Sequence, residues 1–416
     1  MHPLLLRTVE TIETAEVTYC VMRDGERLED YEQGGEVDLL VARRELKLLR
    51  GLLRRLGFVE LPGWGYAPHH FFVAYDMGSD SWLKLDVVTA VSFGSPIHAL
   101  PSSLASNCLQ NRRCCGLTYV PSPEDELITM LLHCVLDKGY FAPHRSARLQ
   151  ALCAEITDEP YMSRLVAAYW MPQATWADLE RYIRQGEWTL LLAHKGALTR
   201  LLKERAPLKT AVNLLSARVA RKANRVRNLV KPSAQSVTLL APDGAGKSTL
   251  AKGIESSLYF PTRQIYMGMY QKGAADKLLK LPGMGFLGRI LMQWGRYASA
   301  RWHQANGRFV IFDRYTYDAM LPSSKKLSRG KELRRWALAH ACPAPDLILF
   351  LDAPGEVLYA RKGEHSPAFL EEQRQGYLQL KQELPQMQVV NVDRDPDYVR
   401  REVTSIIWRS YAQNLN

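Results

Sequence analysis

The sequence predicts an α/β protein with a C-terminal doubly wound parallel sheet, an N-terminal α+β domain and a helical segment between the two. Two observations predict this arrangement. From residue 236 onward, short apolar strand patterns alternate with helical patterns, as a parallel sheet requires. Helical and strand patterns also alternate before residue 121, whereas the segment 122–232 is helical only. We therefore predict three domains, over residues 1–121, 122–232 and 233–416.

The composition is that of an ordinary globular protein, with 47% hydrophobic and 23% charged residues among 416. The net charge of +11 favours a polyanionic partner, such as a nucleotide, a nucleic acid or an anionic membrane surface. The sequence contains no apolar run of about 18 residues and no signal-peptide pattern, and its seven cysteines are scattered. We therefore expect a cytoplasmic protein.

Hydrophobic periodicity predicts the elements of the N-terminal domain. Apolar residues at helical spacing predict helices over residues 4–15 and 45–56, the second of them basic and amphipathic. Runs rich in β-branched and aromatic residues predict four strands, which span 17–22, 36–41, 70–75 and 82–88.

Three carboxylates lie on these predicted strands. Glu36 and Asp38 alternate along one strand, so their side chains point to the same face. Asp86 lies in the apolar strand 82–88, where a carboxylate requires a partner. Together the three would form a cradle for a divalent metal ion suited to nucleotidyl transfer.

With these residues, the segment 1–130 resembles the nucleotidyltransferase superfold of the minimal and aminoglycoside type. The resemblance implies an acid-x-acid pair on one strand, a third acid on a later strand, and an upstream Gly-Ser turn that grips the triphosphate. Here the first acid is Glu36, and Gly25-Glu26 stands at the place of that turn. An active nucleotidyltransferase and a degenerate domain that only binds or positions a substrate both stay open.

The middle third carries no recognisable chemistry, so we predict a packing or substrate-covering role. Ser122-Pro123 is a helix start, and His133 in that helix is interpreted as a core histidine. Further helices are predicted over 147–156, 161–170, 177–184 and 188–203. The segment 217–232 is strongly basic and ends at the predicted domain boundary. Because no aromatic residues accompany its charges, we favour a solvated linker helix over a helix that binds nucleic acid or lipid.

A glycine-rich loop between a strand and a helix opens the C-terminal domain. The strand is predicted over 237–240, the loop over 241–246, and the helix from Lys247. Without side chains at Gly244 and Gly246, backbone N–H groups can converge on phosphate oxygens at the helix N-terminus. Lys247 would reach the β- and γ-phosphates, and the Ser248 hydroxyl would bind Mg²⁺. The loop departs from the GxxxxGK[ST] pattern only at its first position, where Ala241 replaces the glycine.

Four more strands are predicted over 264–267, 308–312, 346–351 and 388–392, and two of them lead into acids. Asp313, followed by Arg314, ends one strand, and Asp352 ends the next. Ligands bind at the carboxyl ends of strands in such sheets. An aspartate there can hold Mg²⁺ or take the proton of an acceptor.

The segment 234–412 resembles the thymidylate kinase family of P-loop kinases. Its phosphate loop matches that of the family over Asp243, Gly244, Ala245, Gly246, Lys247, Ser248 and Thr249. Asp313-Arg314-Tyr315 matches the DRY element of the family, and Arg361 lies at the entry to its mobile lid.

The resemblance implies a role for each matched residue. The seven loop residues would bind ATP, with Asp243 facing the acceptor, and Asp393 would lie near the adenine. Lys247, Asp313, Arg314 and Arg361 would be catalytic. In these roles Asp313 supports catalysis and joins Ser248 at the Mg²⁺ ion, and Arg314 grips the acceptor.

Two departures from the family bear on the chemistry. Gly244 leaves the loop without an arginine of its own, so the charge on the transferred phosphoryl group requires a lid cation from Arg361, Lys362 or Arg374. The segment 264–273 replaces the Arg-Glu-Pro-Gly-Gly element, so the acceptor is predicted not to be thymidine monophosphate. The basic and aromatic segment 277–302 either lines an acceptor pocket or packs on the sheet.

We predict an ATP- and Mg²⁺-dependent kinase whose acceptor is a sugar, a polyol, a glycan end or a nucleotide, in surface-polysaccharide assembly. One alternative is nucleotidyl transfer at Glu36, Asp38 and Asp86. Another is an ATP-controlled binding module for a polyanion. The expected partner is a small-molecule or glycan acceptor. The sequence disfavours nucleic acid and leaves peripheral membrane contact and a homodimer open.

Overall fold

The computed structural model describes residues 1–23, 25, 28, 35–62, 69–94, 99–268, 284–321 and 328–415. The chain divides into two compact units, Met1–Asn224 and Arg225–Asn416. The first unit contains the predicted N-terminal domain together with most of the predicted helical segment. In the part of the chain that the structure describes, no helix is long and apolar enough to cross a membrane.

A five-stranded sheet with two helices begins the first unit. Its elements are α1 (Pro3–Thr14), β1 (Tyr19–Val21), β2 (Gly35–Val41), α2 (Leu46–Arg55), β3 (Val59–Glu60), β4 (His69–Asp76) and β5 (Ser81–Val88). The strand order is β1–β2–β5–β4–β3, with β2 and β5 parallel and the other neighbours antiparallel. Both predicted helices and all four predicted strands are present, with ends shifted by a residue or two.

Side-chain alternation along β2 and β5 decides what each face of this sheet carries. Val37 and Leu85 pack with α1 and α2 in one apolar core. Leu40 and Val88 point to the other face and pack with helices that follow residue 122. The three predicted carboxylates share this second face, and the parallel register places Asp38 opposite Asp86.

Short strands and helices complete the first unit. They are β6 (Ser92–Phe93), β7 (Leu100–Pro101), α3 (Leu104–Gln110), β8 (Arg113–Cys115), β9 (Thr118–Val120), α4 (Pro123–Leu132), α5 (Pro143–Glu155), α6 (Glu159–Leu165), α7 (Trp176–Gln185), α8 (Trp188–Ala193), α9 (Lys195–Arg205) and α10 (Pro207–Val230). The Ser122 hydroxyl accepts a hydrogen bond from the Asp125 N–H and so caps α4, as predicted. A π-helix, His133–Lys138, continues α4. The helix predicted over 188–203 is instead two helices that break at His194.

The second unit is built on a parallel sheet with helices. Its elements are β10 (Ser236–Leu240), α11 (Lys247–Ser257), β11 (Thr262–Tyr266), α12 (Met284–Ala305), β12 (Phe309–Asp313), α13 (Arg329–Ala339), β13 (Leu347–Asp352), α14 (Gly355–Lys362), α15 (Pro367–Glu383), β14 (Met387–Asn391) and α16 (Pro396–Leu415). The strand order is β11–β12–β10–β13–β14, and every neighbouring pair is parallel. All five predicted strands are therefore confirmed. The central strands are apolar along their length because helices cover both faces of such a sheet.

Candidate functional site

The phosphate loop lies between β10 and α11, where the sequence predicts it. Gly244 and Gly246 have φ angles of +91° and +78°, which residues with a side chain rarely adopt. A Cβ atom at position 244 would lie 2.3 Å from the carbonyl oxygen of Leu358 in α14. This position therefore admits only glycine, and no arginine can extend from it towards a phosphate.

Lys247 begins α11 and is turned back over the loop. Its Nζ donates to the carbonyl oxygens of Ala241 and Pro242, each at 2.8 Å. The side chain is buried. Burial lowers the pKa of Lys247 to about 8, and the nearby Arg314 guanidinium acts in the same direction. The ammonium group is thus held by neutral oxygens at the loop that would receive the phosphates.

Arg314 and two acids form the wall on the other side of the loop. The Arg314 Nη2 atom lies 2.7 Å from Asp243 Oδ1, and its Nη1 atom lies 3.4 Å from Asp318 Oδ2. The Tyr377 hydroxyl donates to Asp318 Oδ1 at 2.9 Å. Burial raises the pKa of Asp318, and the Arg314 charge opposes that rise. Asp318 was not singled out in the sequence although it lies only four residues after Arg314, and no local pattern connects Tyr377 to either residue.

The backbone at Arg314 is itself unusual. Its φ angle is +65°, in the left-handed region, and such strain often occurs where function constrains a side chain. Asp313 precedes it at the end of β12, half-buried and charge-coupled to Lys247. The two residues therefore stand at the carboxyl edge of the sheet beside the loop, as predicted.

A cavity of about 350 Å³ lies beside the loop and the first turns of α11. Its lining includes Thr249 from the helix and Val392, Arg394 and Pro396 from the segment after β14. Arg361 also lines it and donates from Nη2 to the carbonyl oxygen of Val392 at 3.0 Å. Asp393, predicted near the adenine, approaches Arg361 at 3.9 Å.

The predicted lid cations differ in their surroundings. Arg374 Nε lies 2.6 Å from Asp352 Oδ1, and its Nη1 lies 2.8 Å from Glu371. Asp352 was predicted to hold Mg²⁺ or take a proton, but its carboxylate forms an ion pair with Arg374. Lys362 pairs with Glu364 at 2.9 Å. Arg361 lines the cavity described above, and so borders the predicted ATP site directly.

A histidine of the predicted lid segment, not singled out from the sequence, lies near the phosphate loop. His365 Nε2 is 4.0 Å from Asp243 Oδ2. Its φ angle is +65°, and its ring packs against Phe369 with the centroids 5.0 Å apart. A histidine between two predicted helices carries no sequence signal that would have revealed this contact.

The described part of the basic and aromatic segment 277–302 contains both packed and exposed aromatic residues. Tyr297 packs against the core of the second unit, whereas Trp294 and Trp302 are exposed. Arg296 donates to the carbonyl oxygen of Gly268 at 3.0 Å, and its guanidinium lies 5.5 Å from the centroid of the Tyr266 ring. Residues 269–273, and the part of the segment before residue 284, lie outside the described residues.

The three carboxylates of the first unit come together as predicted. Oxygen atoms of Glu36, Asp38 and Asp86 all lie within 4.8 Å of one another, at a cavity of about 490 Å³. Each contacts a basic side chain. Glu36 pairs with Lys84 and Asp38 pairs with Arg23, both at 2.8 Å, and the His69 ring contacts Asp86 at 2.9 Å. Burial raises the pKa of Asp38, and the Arg23 charge opposes that rise.

The helical part of the first unit supplies the opposite wall of this cavity. His133 lines it and is not a core residue, so the interpretation from the sequence was wrong. Its Nε2 lies 2.9 Å from Arg23 Nη1, and its Nδ1 lies 2.7 Å from Asp137 Oδ2. Burial lowers the pKa of His133, which suits a neutral ring that accepts from arginine and donates to aspartate. Lys138 and Arg145 also line the cavity.

Close packing explains why position 25, where the triphosphate turn is expected, is a glycine. A Cβ atom there would lie 2.4 Å from Val120 Cγ1. Glu26 lies outside the described residues, so the turn as a whole is not described.

Comparison with known proteins adds little about function. No family model matches the chain, and no curated protein matches it. Among solved structures, the chain is similar to thymidylate kinase from Candida albicans, with 22% sequence identity and a TM-score of 0.34. The similarity covers 43% of this chain and 93% of that one. A function for this protein has to come from its own sites.

Proposed function

We propose that the second unit is an ATP-dependent phosphotransferase that moves the γ-phosphoryl group to a small acceptor. One observation carries this proposal: the phosphate loop, with Lys247 buried in it, has a cavity on one side and the Asp243–Arg314 pair on the other. A kinase requires three adjoining sites. The cavity would hold the base and sugar of the nucleotide, the loop would hold its phosphates, and the Asp243–Arg314 pair would hold the acceptor.

The ATP side uses the loop, its helix and the adjoining cavity. The N–H groups of residues 244–249 and the N-terminus of α11 would bind the phosphates. Lys247 would leave the carbonyl oxygens of its own loop for the β- and γ-phosphates. Arg361 would contact the adenine base of ATP, since it lines the cavity.

The Ser248 hydroxyl and the Asp313 carboxylate are hard oxygen donors, so they fit Mg²⁺. That ion, when bound, neutralises charge on the β- and γ-phosphates. Ser248 is exposed at the start of α11, and Asp313 is half-buried at the end of β12. Both are therefore accessible to a bound nucleotide.

The acceptor would lie against Asp243 and Arg314. Asp318 holds one side of the guanidinium, and Asp243 holds the other, so Arg314 is fixed before an acceptor arrives. An acceptor hydroxyl or phosphate oxygen would attack the γ-phosphorus as the bond from that phosphorus to the β–γ bridging oxygen breaks, and ADP would leave. A hydroxyl proton would pass to a carboxylate of this wall. We propose a sugar, a polyol, a glycan end or a nucleotide as the acceptor, because the wall offers a carboxylate and a guanidinium together.

The test is a screen of γ-labelled ATP against nucleoside monophosphates, sugars and polyols, with mass detection of the product. We expect transfer to one class and its loss in Lys247→Ala. Lys252→Ala, an exposed lysine in the same helix, is the matched control and should retain transfer. Full transfer by Lys247→Ala would refute the proposal. ATP binding without turnover for any acceptor would favour an ATP-controlled binding module.

We infer a second candidate function, nucleotidyl transfer in the first unit. The observation that favours it is the cluster of Glu36, Asp38 and Asp86 at the 490 Å³ cavity. Three carboxylates are the donor set that Mg²⁺ prefers, and the ion would replace the basic partners of these acids. Loss of nucleotidyl transfer in Asp38→Ala but not in Lys247→Ala would support this function. If the wild-type protein forms no nucleotidyl product with any nucleoside triphosphate, the cavity only binds or positions a ligand.

A further inference from the structure

α10 carries a stripe of exposed aliphatic side chains. Six of its aliphatic side chains are each more than half exposed to solvent: Leu208, Val212, Leu215, Val219, Val226 and Val230. At 3.6 residues per turn these six lie within an arc of about 60° along the whole helix. Aliphatic residues at such regular spacing form a continuous surface, whereas single exposed apolar residues need no explanation.

As far as Ala217, the opposite face of α10 packs on the first unit. Thr210 and Ala217 are buried, and Leu214 packs against the core of the first unit. At helical spacing these residues lie about half a turn away from the exposed stripe. The stripe therefore points outward because the other face holds the helix in place.

Positive charges flank the stripe on both sides. The helix contains six basic residues, all exposed, and no acidic residue: Lys209, Arg218, Arg221, Lys222, Arg225 and Arg227. Arg218, Lys222 and Arg225 lie along one edge of the stripe, and Lys209 and Arg227 lie along the other. Long basic side chains at the edges of an apolar face can extend to phosphate groups while that face is buried in lipid.

We propose that α10 is a membrane-surface helix that lies in the interface of an anionic lipid bilayer. Its 24 residues span about 36 Å, and such helices bury their apolar face about 5–10 Å deep. Charge complementarity selects the lipid surface as the occupant. A second copy of α10 would bring six positive charges against six with no acid to compensate them.

A nucleic acid fits this face less well than a bilayer does. Phosphates would pair with the basic residues, but six aliphatic side chains would gain no contact in a groove or along a strand. The helix contains no aromatic residue on which a base could stack. The bilayer is the partner that uses the stripe and the charges together.

The experiment is co-sedimentation of the full chain with vesicles of phosphatidylcholine alone or with about 30% phosphatidylglycerol. We expect binding to the anionic vesicles only, and a decrease as salt rises from about 0.05 to 0.5 M. Leu215→Gln/Val219→Gln should weaken binding by about tenfold or more, because it removes two aliphatic groups from the stripe. Arg218→Gln/Lys222→Gln/Arg225→Gln should weaken it by about a hundredfold, at about fivefold for each charge.

Ala211→Gln/Ser216→Gln is the matched control, since both positions are exposed on the same helix but outside the stripe. It should bind as the wild type does. Circular dichroism and thermal unfolding establish that each variant is folded. The proposal is overturned if the protein does not bind anionic vesicles, or if the stripe variant binds as well as the control. Binding to single-stranded RNA that depends on the arginines alone, or a dimer that the stripe variant abolishes without vesicle binding, would overturn it in favour of those partners.

Discussion

The backbone at Gly244 leaves no room for a side chain, and this single residue explains much of the layout of the second unit. The carbonyl oxygen of Leu358 would lie 2.3 Å from a Cβ atom at this position. α14 therefore approaches the phosphate loop more closely than an arginine at position 244 would permit. Any cation for the transferred phosphoryl group has to come from another segment.

Gly244→Ala is expected to destabilise the second unit by more than about 2 kcal/mol, since it adds a clash to left-handed strain. Gly246→Ala is the control, because its φ angle is also positive but no atom lies within 4 Å of the added carbon. That variant should lose only about 1 kcal/mol. Denaturant unfolding measures both. Equal losses would mean that the contact with Leu358 does not constrain the loop.

The lowered pKa of Lys247 should make nucleotide binding depend on pH. Its pKa in the free protein is lowered to about 8, and phosphates should raise it, so binding takes up a proton near and above pH 8. ATP affinity should therefore be full below pH 8 and fall by up to about tenfold per pH unit above it. Titration calorimetry in two buffers of different ionisation enthalpy measures the affinity and the proton uptake. An affinity that stays constant from pH 7 to 9.5, with no proton uptake, would contradict this prediction.

At the scale of elements, α14 and α15 separate two arginines that the sequence could not tell apart. Arg361 in α14 lines the cavity beside the loop, whereas Arg374 in α15 is held by Asp352 and Glu371. The first position is suited to ligand contact. The second joins α15 to the end of β13.

Arg361→Ala is expected to weaken ATP binding by about tenfold or more, because a charge-assisted contact is lost, with little change in stability. Arg374→Ala should instead destabilise the unit by about 1 kcal/mol, since its ion pairs are partly exposed and screened. Equilibrium binding of ATP and thermal unfolding separate the two effects. If both variants reduce ATP affinity equally, the two arginines share one role.

His133, at the start of the π-helix that continues α4, should make the stability of the protein depend on pH. Burial lowers the pKa of His133, so the folded state binds this proton less well than the unfolded state does. The stability that neutral His133 contributes is therefore present above about pH 6.5 and is lost as the pH falls below that value. His133→Gln should show a smaller loss of stability between pH 7 and 5 than the wild type. Parallel unfolding profiles for the two proteins would mean that the pKa of His133 is the same in the folded and unfolded states, and would contradict this prediction.

At the scale of the whole molecule, the two candidate sites belong to different compact units, 1–224 and 225–416. Each site is assembled from residues of its own unit. A ligand that binds one folded unit stabilises that unit by mass action.

We therefore expect two thermal unfolding transitions, of which MgATP shifts only the one that belongs to the second unit. The shift should be absent in Lys247→Ala and present in Asp38→Ala. At a concentration 100 times the Kd the stabilisation is about 2.7 kcal/mol. Differential scanning calorimetry provides the measurement. A single transition would indicate that the units do not unfold independently. A shift of both transitions by MgATP in the wild type would indicate that the first unit also binds the nucleotide.

The features that depend on neighbouring residues could be predicted from the sequence. Strand and helix periods are local, so the five strands of the second unit, both helices before residue 60 and the strand-loop-helix at 236–257 were predictable. Glu36 and Asp38 were predictable as a pair for the same reason, since alternation along one strand needs no other element.

Contacts between side chains that are distant in the sequence depend on the fold and could not be predicted. The register of β2 with β5 brought Asp86 to Asp38, and packing brought His133 to Arg23 and Tyr377 to Asp318. These contacts join residues far apart in the chain, and no local period records them. The apolar stripe of α10 shows the same limit, because periodicity indicates that a helix has an apolar face, and only packing decides whether that face is covered.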